Sequence, residues 1–145
     1  MNIRTQKLDR RARLPEYATE GAAGADLYAL MDGETEIRPG ETMLIHTGLA
    51  MEIPEGYVGL IYARSGMAAK RGLAPANKVG VIDSDYRGEC LVALHNHSGE
   101  CRKVADGERI AQLVIAPVAH AVFEETDALG ETVRGEGGYG STGVR

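Results

Sequence analysis

Leu49-Ala50-Met51-Glu52-Ile53-Pro54-Glu55-Gly56-Tyr57-Val58-Gly59-Leu60-Ile61-Tyr62-Ala63 sets two short runs of strand-forming residues on either side of a Pro-Glu-Gly turn. Alternation across Leu49 to Ile53 has the two-residue period of a half-buried strand, and Pro54 with Gly56 supplies turn chemistry. The same pattern repeats outward. Turn signals fall at Asp32-Gly33, Pro39-Gly40, Arg87-Gly88, Asn96-His97-Ser98-Gly99 and Asp106-Gly107. Between them Ala25 to Leu30, Thr42 to His46, Glu89 to His95 and Arg109 to Ala116 read as further strands. Turns spaced by about 8–12 residues mark an all-β sandwich or barrel. Leu113-Val114-Ile115 is continuously apolar, which predicts a strand buried on both faces.

One stretch invites a helix. Ser65 is placed to cap it, Met67 to Arg71 are good helix formers, and Gly72 stands where a terminating glycine belongs. The end of the chain differs from the rest. From Gly130 to Arg145, six of sixteen residues are glycine and almost nothing is apolar, so residues 1–129 read as one domain and 130–145 as a mobile tail.

The chain's 145 residues suit a single domain with a core of its own. No apolar run approaches the 18 or so residues of a membrane span, and no signal-peptide pattern opens the chain, which predicts a cytoplasmic protein away from membranes. Cys90 and Cys101 are the only cysteines and have no partner at zinc spacing, which fits a reducing compartment. A net charge of −5 gives no general basic field for nucleic acid. Arg4, Lys7, Arg10, Arg11 and Arg13 stand against Asp9 alone. Without interleaved aromatic residues, that stretch reads as a solvated edge strand and a surface loop, and nucleic acid is set aside as a partner.

Five segments carry chemistry. Gly135 to Thr142 partly matches two glycine-rich phosphate motifs, but the Rossmann reading lacks its strand and helix and the Walker reading lacks its lysine. The ingredients for wrapping phosphate remain: free backbone N–H groups, the hydroxyls of Ser141 and Thr142, and Arg134. Tyr139 among the glycines argues against a plain linker. Arg64-Ser65-Gly66 sets a guanidinium, a hydroxyl and helix-start N–H groups together, either an anion site or a helix start with a surface arginine. Asn77 to Glu89 includes Asp83 and Asp85, but Arg87 and Leu94 stand where a calcium loop needs oxygen ligands. Asp83 follows apolar Val81-Ile82, either as a turn former or as a positioned base with Tyr86 beside it. Asp26 in Ala23-Gly24-Ala25-Asp26-Leu27 and Gln112 in Gly107 to Leu113 are polar residues inside apolar strands and need partners. The histidines at 46, 95, 97 and 120 lack ligand spacing and read as surface or structural residues.

Together the five segments resemble the trimeric deoxyuridine triphosphate nucleotidohydrolases, the dUTPases. The resemblance rests on AGADL at 23–27, ARSGMAAKRG at 63–72, NKVGVIDSDYRGE at 77–89, GERIAQLV at 107–114 and RGEGGYGSTG at 134–143. The order and spacing are the family's, over nearly the whole chain. Met67 stands where leucine is usual, and Tyr139 where phenylalanine is commoner. The resemblance implies a jelly-roll-like distorted β-barrel with one short helix after the second motif and a tail closing over the site. It implies a homotrimer with shared active sites that hydrolyses dUTP at the α-phosphate to dUMP and pyrophosphate with Mg²⁺. By it, Asn77 with Gly80, Val81, Ile82 and Leu91 reads uracil, Tyr86 lies under the deoxyribose, and Asp83 activates water. Arg64, Ser65, Gly66 and Gln112 hold phosphates, and Asp26 meets the metal's water shell. Tyr139 stacks on uracil, while Arg134, Gly140, Ser141 and Thr142 serve the closed tail. Three alternatives are a dCTP deaminase, a nucleotide-binding trimer without catalysis, and a purely structural β trimer.

Overall fold

The computed structural model describes residues 1–138, and the expected roles of Tyr139, Gly140, Ser141 and Thr142 lie outside them. Twelve strands and one helix follow in the order β1 (Arg4–Lys7), β2 (Glu16–Tyr17), β3 (Ala25–Tyr28), β4 (Glu34–Ile37), β5 (Thr42–Ile45), β6 (Leu49–Glu52), β7 (Tyr57–Tyr62), α1 (Ser65–Arg71), β8 (Leu73–Pro75), β9 (Gly80–Ile82), β10 (Val92–Asn96), β11 (Arg102–Ala105) and β12 (Arg109–Pro117). They pair into four antiparallel ladders: β2-β3-β12-β7-β9, β5-β10-β8, β1-β6 and β4-β11. The all-β class expected from the turn spacing is what the chain adopts, as packed ladders rather than one closed wall, and the jelly-roll-like form implied by the resemblance is compatible with them.

Each ladder sends side chains into one core. Leu27, Ile37, Ile45, Leu49, Ile53, Leu73, Leu94, Val104 and Ile110 are all buried, and burying each large aliphatic chain contributes about 1.5–3 kcal/mol. Asn96 is buried among them with its whole side chain paired. Its Nδ2 donates to the Ile37 and Glu100 carbonyls at 2.8 Å each, and its Oδ1 accepts from Ser98 N and Oγ at 2.9 and 2.7 Å. This amide closes the turn between β10 and β11, and pairing matters because a buried polar group left unpaired would cost about 1–3 kcal/mol.

Three expectations are refined. Ser65 does not cap α1. Arg64 occupies the cap position in extended conformation (φ −82°, ψ 133°) and makes no side-chain cap bond, so Ser65 is the first helical residue. Gly72 does end the helix, at φ 67°. A side chain there would also meet Ser98, whose Cβ lies 2.9 Å from where a Cβ would stand. Of the run 113–115 only Leu113 is fully buried. Val114 and Ile115 are half-buried, with Ile115 still packed against the core. The basic N-terminal stretch is an exposed edge strand followed by a loop, as its sequence suggests, and three of its five cations have partners. Arg4 meets Glu52 at 2.5 Å, Arg11 lies between Asp9 and Asp32, and Arg13 sits 3.8 Å over the Tyr28 ring.

Cys90 is buried and Cys101 exposed. Burial first, and then the neighbouring Glu89 carboxylate, pushes the Cys90 thiol up to about 12. A thiolate is the reactive form, so at pH 8 a disulfide reagent should titrate one thiol per native chain and two after denaturation. Cys101→Ser should abolish the native reaction, and fast labelling of both thiols in the folded protein would contradict this burial.

Candidate functional site

The five-stranded ladder decides which polar side chains meet. Gln112 on β12 stands opposite Asp26 on β3 and Tyr62 on β7. Between Arg109 and Ala111 the β12–β3 register shifts, so that Arg109 faces Tyr28 and Ala111 faces Leu27. Ile110 is the extra residue of this bulge, and Ile110 and Ala111 are both wholly buried in succession. Strict alternation would put residues three apart on opposite faces. The bulge instead returns Arg109 to the face that carries Gln112 and Asp26.

Asp26 is the centre of that face. Its side chain is only 9% exposed, and both carboxylate oxygens are taken. Arg64 Nε donates to Oδ1 at 2.7 Å and Arg109 Nη1 donates to Oδ2 at 3.1 Å. Arg64 Nη1 also reaches the Arg109 carbonyl at 3.2 Å. Asp26 thus anchors two arginines in this chain, and its expected contact with a metal's water shell belongs to the proposed function. Among the described residues, no three His, Cys, Asp or Glu side chains converge as a metal cage.

An open cavity of about 420 Å³ lies beside this anchor. Gly24, Asp26, Arg64, Ser65, Gly66 and Gln112 line it. Gln112 Nε2 donates to the Ala63 carbonyl at 2.9 Å, which fixes the amide across the β7–α1 junction. Gly24 is glycine for want of room: a Cβ there would lie 2.6 Å from Gln112 Oε1 and 3.1 Å from its Cβ. Behind the cavity Arg71 binds Glu108 and the Lys103 carbonyl, which ties the end of α1 to the β11–β12 turn. The arginines outnumber the acids here, so the cavity suits an anion with several oxygens.

The third segment lies elsewhere. None of residues 77–91 lines the cavity. Asn77 is exposed in a turn whose Lys78 has φ 64°. Gly80, Val81 and Ile82 form β9, which is bonded to β7 on one side only. Half of its backbone donors and acceptors therefore point away from the sheet. Gly80 lets this strand lie close to Ile61 and Asn77, since a Cβ would stand 3.1 Å from Ile61 Cβ. Val81 is 62% exposed, so β9 is an edge rather than a buried strand. Asp83 follows it, exposed, and Leu91 is half-buried. Tyr86 folds back over Gly88 and its hydroxyl donates to the Glu89 carbonyl at 3.0 Å. Arg134 is exposed, and its Nε donates to the Gly137 carbonyl at 2.7 Å.

Arg109 has no role in the sequence reading. The signal was present in Asp26 itself, because a carboxylate inside an apolar strand requires cationic partners, and the register that brings two arginines to it is a tertiary fact.

The chain matches the dUTPase family model over residues 10–143. It is 57% identical to a deoxyuridine 5'-triphosphate nucleotidohydrolase of Desulfitobacterium hafniense over 137 residues, 94% of this chain and 91% of that protein. Its fold superposes on a mutant dUTPase of Staphylococcus bacteriophage 80alpha, solved with dUpNHpp, at a TM-score of 0.87 and 29% identity over 99% of both chains. A mutant dUTPase from phage phi11 of S. aureus, solved with a structural Mg(II) ion, gives 0.78 at 27% identity over 88% of this chain and 98% of that one.

Removing the anchor tests this geometry. Asp26→Ala leaves two arginines facing each other, and we expect a loss of about 2–3 kcal/mol in denaturant unfolding, below the full buried-pair cost because both arginines reach solvent. Gly24→Ala should keep the fold but displace Gln112, raising KM more than it lowers stability. Unchanged stability in Asp26→Ala would remove the anchor from this account.

Proposed function

The chain belongs to the dUTPase family and hydrolyses dUTP to dUMP and pyrophosphate, and we propose that it does so in sites assembled from several copies of itself. The reaction keeps uracil out of DNA and supplies dUMP for thymidylate synthesis. One observation carries the proposal. The arginine-lined cavity and the β9 edge with Asp83 are separate on a single chain, although one nucleotide must engage both. Exposed apolar residues after β12 support the same reading. Val122, Phe123, Leu129 and Val133 are 87% or more exposed, a composition suited to packing on a neighbour. A closed homotrimer with shared sites accommodates both features.

In this reading Arg64, Ser65, Gly66 and Gln112 of one copy hold the triphosphate. Asn77 and the free edge of Gly80, Val81 and Ile82 of another, with Leu91 behind, pair with the edge of uracil. Fixed backbone groups leave no space for the thymine methyl and set donor against donor for cytosine. Tyr86, braced on Gly88, forms a floor under deoxyribose that a 2′-hydroxyl would strike. Asp83 accepts the proton of the attacking water as the new bond to the α-phosphorus forms. The bond to the bridging oxygen then breaks, and its electron pair leaves with pyrophosphate. Arg64, held by Asp26, is oriented in advance for that growing charge. Arg134, Tyr139, Gly140, Ser141 and Thr142 close over the nucleotide and exclude bulk water.

Among the described residues no carboxylate cage for Mg²⁺ forms; the ion retains several waters when it binds phosphates, and Asp26 is the residue placed to meet that water shell. dUTP therefore arrives as its magnesium complex, and the metal is part of the substrate. Among the described residues, no helix is long and apolar enough to cross a membrane. The substrate is a free nucleotide, and we place the enzyme with that pool in the cytoplasm.

Two experiments test the shared site. With Mg²⁺ and dUTP, dCTP, dTTP or UTP offered separately, only dUTP should be consumed. Ammonia release from dCTP would favour the deaminase reading. Asp83→Asn and Arg64→Ala should each lower kcat by about 10²-fold or more. Unfolded together and refolded as a mixture, they should regain about a quarter of wild-type activity, because some sites then draw both intact halves. No recovery on mixing would mean that each chain completes its own site. Deleting residues 134–145 should lower turnover at least about tenfold while leaving the melting temperature nearly unchanged. Full activity in the truncated chain would remove the tail from the mechanism.

A further inference from the structure

His95 and His97 lie outside the site described above. They flank Asn96, which is wholly buried and points into the core, so both imidazoles project from the outer face of the β5-β10-β8 ladder. His97 continues the line of β10, its N–H bonded to the Gly72 carbonyl at 2.8 Å. The two rings stand edge to face with centroids 4.3 Å apart. Thr42, opposite His95 on β5, is hydrogen-bonded through Oγ1 to His95 Nδ1 at 2.7 Å. That bond fixes the ring and turns its Nε2 outward.

We propose that His95 and His97 form a chelating site for a divalent transition cation of the zinc, nickel or copper class. Two imidazoles on one such ion, each at about 2.0–2.1 Å, carry ring centroids about 4.5–5.2 Å apart for bond angles of about 90–109°. The observed pair needs to open by only a few tenths of an ångström. Imidazole nitrogen suits these borderline-soft ions and not magnesium, which prefers oxygen. The site is thus independent of the metal that arrives on dUTP. Thr42 serves as the outer partner that orients a ligating histidine. Water completes the coordination, since the face is open. Lys78 lies near His97 and opposes a cation there.

The test is equilibrium dialysis of the full-length protein against Zn²⁺ alone. Wild type should bind one zinc per chain with a dissociation constant in the range of about 10–100 μM. His97→Ala and His95→Gln should each weaken binding by about tenfold or more, and Thr42→Val by a few-fold. Lys78→Met should tighten it, and His120→Ala should leave it unchanged. Hydrolysis of magnesium dUTP by His97→Ala should match wild type, which separates failure of this site from failure of the catalytic reading. Equal zinc binding by wild type and His97→Ala, or none by wild type at about 1 mM zinc, would overturn the proposal.

Discussion

Gln112, Asp26 and Arg109 share one face of the central ladder only because β12 carries an extra residue against β3. Strand side chains alternate, so a shift of one residue transfers every later side chain to the opposite face. Without the bulge, Arg109 would point into the core when Gln112 points to the cavity. Ile110 takes the buried place instead, and the guanidinium reaches Asp26. Arg64 then has a fixed carboxylate to lean on, and its position at the start of α1 is set by β7, the other neighbour of β12. The cavity is therefore a consequence of strand register, with side-chain chemistry added to it.

A buried acid in an anion-binding cavity looks contradictory until its partners are counted. Two guanidinium groups close together repel each other and would swing apart into solvent. One carboxylate between them holds both, and leaves net positive charge facing the opening. The cost of burying Asp26 is offset by two charge-assisted bonds. What the cavity gains is donors held still before any substrate arrives. Preorganised donors matter most where charge grows during the reaction, since they need no rearrangement at that moment.

The sequence carried the fold class because turn residues punctuate it so regularly. Strands β3, β5, β6 and β7 fall inside the runs read from alternation and turn spacing, and β10 and β12 overrun theirs by one residue each. The short β2, β4, β8 and β11 escaped, and they form only because a neighbour supplies the other half of the ladder. Asp26, Arg64, Ser65, Gly66 and Gln112 were legible as candidates, and the chain brings them around one cavity. That Asp26 anchors Arg64 and Arg109 was not legible, because the sequence shows an acid inside an apolar strand but not which cations the register brings to it. Arg109 and the bulge beside it could not be read at all. Ser65 looked like a cap from its type and place, but the extended backbone at Arg64 starts the helix one residue earlier.

The exposed edge of β9 suits the base recognition proposed for it. An unpaired strand edge is a hazard, because its free N–H and C=O groups invite another chain. This edge is three residues long and ends at Asp83, which limits such pairing. The same free groups are what a planar base needs, in fixed positions and without a competing neighbour. A subunit that filled the edge with its own strand would be safer alone and unable to read uracil. Keeping the edge short, and covering it only when nucleotide and neighbouring chains come together, meets both demands. In the proposed assembly, the separation of the cavity from the β9 edge is thus the arrangement that keeps a reading edge open on a chain that still folds by itself.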